Sequence, residues 1–391
     1  MQPDPDYILT ATAVRERCGL VYAAAVRRQT PHFRLHEEKL DDAARLVVDV
    51  TRRNYPDLKV PFHSRWRHFA AGGIDRAALV APGADRAETA RAQIDLAIVS
   101  VLLDAGAGQD WRYEEADTGR MFSRSEGLGV ASLRAMQAGL FSADPDQPWR
   151  ADAAALAILT PQALAQAMQH RADNALAGLD GRAALLRRLG EVVAVNPVVF
   201  GYPARLGKLY DHWARQDAEI AAPALLRTLL VALGPIWHDR PLGDCGRHRA
   251  IDGDGLVPFH KLSQWLAYSL VEPLQDSGIA VTALDGLTGL AEYRNGGLFV
   301  DLGVLEPRDP SLATRLLDPF DEAVVEWRAL TVALLDRLAE LVRSRLGKTA
   351  TEFPLACMLE GGSWAAGRET AAARRVDGRP PLSVASDGTL F

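Results

Sequence analysis

Cysteine is scarce in this sequence, and its scarcity excludes two kinds of site. The 391-residue chain has three cysteines, Cys18, Cys245 and Cys357, which lie far apart. Their number and spacing give neither a disulfide framework nor a Cys-x-x-Cys metal knuckle. We therefore expect three unbonded thiols, as is usual in a reducing cytoplasm.

The chain also lacks long apolar runs and an excess of positive charge. Its longest apolar stretch, residues 92–103, is broken by polar residues and is too short to span a bilayer. The first ten residues carry neither a basic nor an apolar segment, so we expect no export signal. A formal net charge of −6 gives no global basic field for a nucleic acid, although a local phosphate pocket remains allowed. We expect a cytoplasmic protein with no nucleic acid or membrane partner.

Several common catalytic signatures are absent as well. The sequence has no GxSxG, no GxxxxGKS/T, no HExxH and no protein kinase signature. The pattern before Gly106 and Gly108 is helical, whereas the glycines of a dinucleotide fingerprint follow a strand, so a Rossmann fold is not expected. These absences exclude several common enzyme classes, but the protein can still be an enzyme of another class.

What is present is mostly helical periodicity, which predicts a mainly α fold. We expect one interlocked domain over residues 1–391, divided into an N-terminal subdomain 1–150 and a C-terminal subdomain 151–391 with an irregular tail 376–391. One short strand is predicted at 297–304, and 191–199 is ambiguous. The predicted helices are 41–53, 86–103, 123–140, 160–170, 183–193, 222–233, 257–274, 318–347 and 364–373.

The segment from residue 258 to 305 is the most informative for chemistry. Lys261 stands near the start of an amphipathic helix, and Glu292 and Arg294 precede two glycines about thirty residues later. A carboxylate beside apolar helices can act as a general base or stabilise a developing cation, and a lysine can orient a ligand. The glycines would allow close approach of the backbone to a ligand. The alternative is a structural ion pair on the surface.

Other segments carry candidate binding residues. Trp111 could form a pocket wall with Glu126 at the next helix start, or both could belong to a helix-connecting loop. Arg65, Arg67 and His68 could cradle an anion or form a basic surface turn.

Two further segments have the residue types of a site. Glu360, Trp364 and Arg368 share one helical face, either closing a pocket or placing a core Trp between solvated charges. The loop from His238 to His248 contains metal-capable residues, but their spacing fits no standard zinc pattern and suits a loop with Asx turns.

Specific phrases spread over nearly the whole chain resemble the uracil catabolism protein 4 family. That resemblance implies a cytosolic role in uracil degradation through a uracil nucleotide. The phrases are FHSRWRHFAAGG, LLDAGAGQDWRY, SRSEGL, FHKLSQWL, LDGLTGLAEYRNGGLFVDLGVL, LEGGSWAAGRE and SDGTLF.

A more distant resemblance joins the chain to the queuosine 5′-phosphate N-glycosylase (queuosine salvage) family. Lys261 and Gln264 match its lysine-bearing helix, Glu292 begins its acid–Tyr–Arg phrase, and Trp111 and Tyr113 match its Trp-x-Tyr. That family is helical and related in fold to helix-hairpin-helix DNA glycosylases. Its acid is Asp, and the longer Glu here moves the carboxylate by about 1.5 Å.

Together the resemblances imply an N-glycoside hydrolase that needs no cofactor or metal. A pathway that opens the uracil ring on its nucleotide would leave a ribosyl-urea phosphate, and cleaving its C1′–N bond would give urea and a sugar phosphate. Glu292 would stabilise the oxocarbenium-like transition state and orient water, while Lys261 would hold a ribose hydroxyl or the phosphate.

The predicted function also implies partners and substrate-binding residues. The expected partner is a phosphorylated, nucleoside-derived small molecule, with transient contact to other uracil-catabolism enzymes. Three alternatives are open: a metal-dependent amidohydrolase on the same ureide, a non-catalytic binder of a pathway intermediate, and a regulatory partner of the cyclohydrolase-like enzyme. The predicted substrate-binding residues are Trp111, Glu126, Arg294, Glu360, Trp364 and Arg368, with Trp111 and Trp364 as walls and Arg294 or Arg368 at the phosphate.

Overall fold

The computed structural model describes residues 4–108, 110–216, 218–237 and 240–385. This part of the chain is mainly helical, and its short strands form two-stranded sheets. The predicted mainly α fold is therefore confirmed, while its relation to helix-hairpin-helix glycosylases stays a prediction. Among the described residues, no helix is both long enough and apolar enough to cross a bilayer. The terminal SDGTLF phrase lies outside the described residues.

The chain divides into two compact units, each discontinuous in sequence. The first unit contains residues 4–63, 242–264 and 283–385, and the second contains the described residues of 64–241 and 265–282. The subdivision expected at residue 150 stays a prediction, and residue 150 lies inside the second unit.

Helices of the first unit surround one long helix, Glu322–Leu346, which packs against Ala11–Val26 and Leu40–Asn54. In Leu40–Asn54 the buried residues recur three and four positions apart, so one face points into the core. The long helix ends at Gly347, whose φ of 67° is the left-handed conformation that glycine adopts at helix ends. The other helices of this unit are Pro5–Ile8, Glu37–Lys39, Leu284–Gly286, Tyr293–Asp301, Pro310–Ala313, Leu355–Met358 and Trp364–Arg374, with a π-helical turn at Leu359–Ser363.

Three small sheets belong to the first unit. Phe33–Leu35 pairs antiparallel with Leu305–Pro307, and Cys245–Arg247 pairs antiparallel with Leu256–Pro258. Ser383–Val384, from the predicted irregular tail, pairs in parallel with Leu316–Leu317.

The second unit is also built from helices, with two small sheets. Arg112–Glu115 pairs antiparallel with Arg120–Ser123, and Glu219–Ala221 pairs in parallel with Ala280–Thr282. Its helices are Arg65–Phe69, Ala71–Gly73, Ala77–Leu79, Arg86–Leu102, Arg124–Gln137, Ala153–Ala157, Pro161–Ala167, Leu179–Ala194, Pro197–Phe200, Leu206–Lys208, Leu209–Ala214, Ala222–Leu233 and Gly234–Ile236. One further helix, Lys261–Ser277, begins in the first unit and continues in the second.

Two sequence predictions of local structure are wrong. Residues 297–304 do not form a strand, because Tyr293–Asp301 is a helix capped by Glu292. The helix predicted from residue 257 begins only at Lys261. Val257 precedes a proline, which favours an extended backbone, and it lies in the strand Leu256–Pro258.

Candidate functional site

The carboxylate of Glu292 caps the helix Tyr293–Asp301. Its Oε2 accepts a hydrogen bond from the main-chain N–H of Arg294, and its Oε1 accepts one from Asn295, both at 2.6 Å. The first N–H groups of a helix have no partner within the helix, and they favour a negative charge beside them. Both carboxylate oxygens are therefore held in fixed positions.

Burial raises the pKa of Glu292 above its ordinary value. The two main-chain donors and the positive charges of Lys261 and His63 oppose this shift, but desolvation is the larger effect. The residue is thus a partly desolvated carboxylate with two cationic side chains near enough to influence its ionisation. Sequence alone could not place these three residues together.

Lys261 is the first residue of the helix Lys261–Ser277, and the start of this helix is held by hydrogen bonds to other segments of the first unit. Its main-chain N–H donates to Oδ2 of Asp244 at 3.1 Å, which caps this helix from another segment of the first unit. One turn further, Gln264 donates to the hydroxyl of Thr288 and accepts from the Thr288 N–H at 2.8 Å. The lysine helix is therefore tied to the loop that leads into Glu292.

A second acid–base pair lies in the same unit. Nδ1 of His63 and Oε2 of Glu360 are 2.8 Å apart, and the two side chains are 8% and 16% exposed. The main-chain N–H of His63 donates to the Ala356 carbonyl at 3.0 Å, and the Tyr55 hydroxyl lies 3.5 Å from the other Glu360 oxygen. The histidine is therefore fixed on both its main chain and its ring.

Glu360 stands in the π-helical turn Leu359–Ser363, which is tied to the Glu292 helix. The Ser363 hydroxyl in this turn donates to Oδ1 of Asn295 at 2.8 Å. Asn295 is one of the two residues that donate to Glu292. The turn thus links the Glu292 carboxylate with the His63–Glu360 pair.

Trp364 and Arg368 follow that turn on the helix Trp364–Arg374. The Trp364 ring lies 6.1 Å from the His63 ring between centroids, and the Arg368 guanidinium stacks 4.8 Å above the Trp364 ring. A cation on an aromatic face is a stable arrangement that also presents positive charge beside the ring. These contacts place Trp364 next to His63 and Arg368 on the Trp364 ring.

The Arg294 side chain is buried and contacts neighbouring protein groups. Its side chain is 6% exposed, and its Nη1 donates to the Gly378 carbonyl at 3.0 Å. Its guanidinium also lies 5.0 Å from the Tyr293 ring centroid. Its contacts join the Glu292 helix to the C-terminal segment, and its role at a phosphate stays a prediction.

The two glycines after Glu292 contact protein rather than leaving space for a ligand. A Cβ on Gly296 would lie 2.8 Å from the Trp327 ring, and the Trp327 indole donates to the Gly296 carbonyl at 3.0 Å. A Cβ on Gly297 would lie 3.1 Å from Pro381. The glycines therefore serve close packing of the helix.

Comparison with known proteins places the chain in a family. A family model described as "Protein of unknown function (DUF1688)" matches residues 7–391. The protein "Uracil catabolism protein 4" of Lachancea kluyveri is 35% identical over 434 residues, covering 98% of each chain. "Protein urg3" of Schizosaccharomyces pombe is 38% identical over 400 residues, again covering 98% of each. The chain belongs to the uracil catabolism protein 4 family.

In this family member, Trp111 and Glu126 belong to the second unit, whereas the other predicted site residues lie in the first. Trp111 is fully buried, its indole donates to the Met168 carbonyl at 2.9 Å, and Gly127 packs against its ring. Glu126 stands in the first turn of Arg124–Gln137. Their substrate-binding roles stay predictions.

The predicted anion cradle has carboxylate partners. Nη1 of Arg65 donates to Asp104 at 2.6 Å, and burial lowers the pKa of Arg65 while Asp104 opposes that shift. Arg67 donates to Glu272 at 2.6 Å. Pairing with carboxylates reduces the positive field that these arginines offer to an anion.

The loop that suggested a metal site is engaged in other contacts where it is described. Asp244 pairs with Arg328, Nε2 of His248 lies 3.0 Å from Glu326, and the Cys245 thiol donates to the Leu242 carbonyl. His238 and Asp239 lie outside the described residues. Among residues 4–108, 110–216, 218–237 and 240–385, no group of three His, Cys, Asp or Glu side chains could hold a metal ion.

His63 was not predicted as a site residue, although it lies in the segment FHSRWRHFAAGG. A single histidine between Phe62 and Ser64 carries no signal, because its partner Glu360 is almost three hundred residues away. The usable signal was the acid in the LEGGSW phrase, which needed a buried partner.

Proposed function

We propose that this protein acts in uracil catabolism as an N-glycoside hydrolase. The substrate would be a ring-opened uracil nucleotide, ribosyl-urea 5′-phosphate, and the products urea and ribose 5-phosphate. The observation that carries the proposal is the fixed, partly desolvated Glu292 carboxylate with the charges of Lys261 and His63 around it. The name of the Lachancea kluyveri relative supports the pathway, and the distant resemblance to a nucleotide N-glycosylase supports the choice of the N-glycosidic bond.

The role of Glu292 follows from the positive charge that develops on the ribose as the C1′–N bond breaks. Breaking the C1′–N bond builds positive charge on C1′ and its ring oxygen, which a nearby carboxylate stabilises. Both Glu292 oxygens are already positioned by main-chain donors, so little reorganisation is needed during the reaction. Glu292 would stabilise this cation and orient the attacking water.

Lys261 would supply a positive charge that binds the substrate. An ammonium group binds a phosphate or a ribose hydroxyl as a donor, and it would hold the sugar against Glu292. Trp364 would form a wall of the pocket, and Arg368 would approach the phosphate.

The test is turnover by metal-stripped protein on ribosyl-urea 5′-phosphate, with free urea and ribose 5-phosphate measured together. We expect both products in equal amounts, and a loss of 100-fold or more in Glu292→Gln, as is typical for removal of an electrostatic group. Glu306→Gln is the matched control, because Glu306 lies on the surface of the same unit beside Arg34. Ammonia release, or turnover only after zinc is restored, would contradict the proposal and favour an amidohydrolase.

A further inference from the structure

We infer that His63 is the general acid of this site, that it protonates the departing nitrogen, and that Glu360 orients it. The inference rests on the proposed function and adds a residue to which no role had been given. Ureido nitrogen is a poor leaving group as an anion, so cleavage at neutral pH requires a proton donor. Glu292 cannot fill that role while it stabilises the cation as a carboxylate.

The geometry of the His63–Glu360 pair suits proton donation. Glu360 contacts Nδ1 of the imidazole at 2.8 Å, and we assign the transferred proton to Nε2, the other ring nitrogen. A carboxylate on one ring nitrogen fixes the ring orientation and stabilises its protonated form. Both side chains are largely buried, so this contact is stronger than an exposed pair of the same length.

The position of His63 connects the pair to the reacting bond. The turn that carries Glu360 is hydrogen-bonded to Asn295, which donates to Glu292, and Trp364 of the helix after that turn packs beside the His63 ring. These contacts bring His63 and Glu292 into one cluster. An acid and a stabilising carboxylate in one cluster are the two parts that glycoside hydrolysis requires.

The proposed step balances. The C1′–N bond breaks, its electron pair goes to nitrogen, and that nitrogen takes the proton from Nε2 of His63 to leave as urea. Water adds to C1′ and gives its proton to Glu292, which releases it to solvent. His63 regains a proton from solvent, so one water is consumed for each bond broken.

The test compares two leaving groups. Ribosyl-urea 5′-phosphate needs protonation, whereas 4-nitrophenyl riboside 5-phosphate releases a stable phenolate without it. We expect His63→Gln to lower kcat on the urea substrate by about 100- to 10,000-fold, the range for general acid catalysis, and by less than about tenfold on the nitrophenyl substrate. Glu292→Gln should lose activity on both. Retained nitrophenyl cleavage also shows that the variant is folded.

Two more variants separate catalysis from structure. Glu360→Gln should lower kcat on the urea substrate and leave cleavage of the nitrophenyl substrate near the wild-type rate, because Glu360 positions the imidazole that protonates the urea nitrogen. His36→Gln is the matched control: His36 lies 2.8 Å from Glu306 in a more exposed histidine–glutamate pair of the same unit, and its loss should leave both activities unchanged.

The outcomes are distinguishable. Equal losses of His63→Gln on both substrates, with wild-type turnover intact, would overturn the general acid role alone. If the wild-type protein cleaves neither substrate, the proposed function fails and this inference fails with it.

Discussion

The guanidinium of Arg328 donates two hydrogen bonds to the carboxylate of Asp244, at 2.8 and 2.7 Å, and both side chains are buried. The same carboxylate caps the helix of Lys261, and Nε of Arg328 reaches the Ala291 carbonyl at 3.4 Å. Burial alone would raise the pKa of Asp244, but Arg328 outweighs it and holds that pKa below its ordinary value. This ion pair therefore joins the starts of the two segments that carry Lys261 and Glu292.

Removing one partner of this pair should destabilise the protein strongly. Arg328→Met leaves the Asp244 carboxylate buried without its cation, and we expect a loss of about 3–5 kcal/mol in the free energy of unfolding. The double variant Asp244→Leu with Arg328→Met should be closer to wild type, because no charge is left buried. Urea denaturation of the wild-type protein and these two variants measures both effects.

An exposed pair in the same unit is the control for that experiment. Arg34 pairs with Glu306, and their side chains are 52% and 46% exposed, so Arg34→Met should cost less than about 1 kcal/mol. If Arg328→Met costs no more than Arg34→Met, the buried pair does not stabilise this fold.

The pKa of Glu292 predicts a pH-dependent effect on stability. Burial raises this pKa, so the folded protein holds the carboxyl proton more tightly than the unfolded chain. The stability that this group contributes is present below its unfolded pKa of about 4.3 and is lost as the pH rises through the folded pKa. The stability of Glu292→Gln relative to wild type should therefore increase from about pH 4 to about pH 7.

The stability of Glu322→Gln relative to wild type should change in the opposite direction: it should fall as the pH rises, mostly below about pH 5. The hydrogen bonds of Arg249 lower the pKa of Glu322 to about 2 against the effect of burial, so ionised Glu322 stabilises the folded state above its unfolded pKa, and this stability is lost as the pH falls through the folded pKa. Urea denaturation at both pH values compares the variants. A Glu292→Gln difference that stays constant or falls with pH would contradict the prediction.

Local pattern identified most helices but misjudged the segment after Glu292. Residues 297–304 form a short β-like run in the sequence, so local pattern predicts a strand there. The helix forms because Glu292 caps it and because Trp327 and Pro381 pack where side chains at Gly296 and Gly297 would lie. These are tertiary contacts from distant segments, and no local window contains them.

The site was predictable only in part for the same reason. Lys261 and Glu292 could be proposed from a resemblance, and Trp364 and Arg368 from helical spacing. The His63–Glu360 and Asp244–Arg328 pairs join residues that are 297 and 84 positions apart. Such pairs depend on how the unit closes, which a single sequence does not specify.

Close packing of the Glu292 helix predicts that Gly367 tolerates no side chain. A Cβ there would lie 2.3 Å from the Arg294 carbonyl oxygen, which is main chain and cannot rotate away. Gly367→Ala should lower the free energy of unfolding by about 1–3 kcal/mol, the usual cost of overpacking. It should also reduce turnover, because Arg294 supplies one of the N–H groups that hold Glu292.

Gly19 is the matched control, since it lies inside the helix Ala11–Val26 with nothing within 4 Å of its added Cβ. Gly19→Ala should stabilise the protein by about 0.5–1 kcal/mol, because alanine favours helix more than glycine does. Thermal and urea unfolding of both variants test the pair. Equal effects of the two substitutions would refute the packing argument.

Arg368 should recognise the phosphate of the proposed substrate. Its guanidinium is placed on the Trp364 ring beside His63, where it presents charge to a ligand of that site. Arg368→Met should raise KM for ribosyl-urea 5′-phosphate by about 10- to 100-fold, as expected for a lost charged hydrogen bond, with kcat nearly unchanged. KM for ribosyl-urea without the phosphate should not change, so the variant loses its preference for the phosphorylated compound.

Another stacked arginine controls for loss of the stack itself. Arg337 lies 3.6 Å from the Tyr22 ring centroid in the same unit, and Arg337→Met should leave both KM values unchanged. Steady-state kinetics on the two substrates decide the matter. If Arg368→Met raises KM equally for the compounds with and without the phosphate, Arg368 does not bind the phosphate and instead supports the wall formed by Trp364. The phosphate must then be bound by another cation, and Lys261 is the first to test.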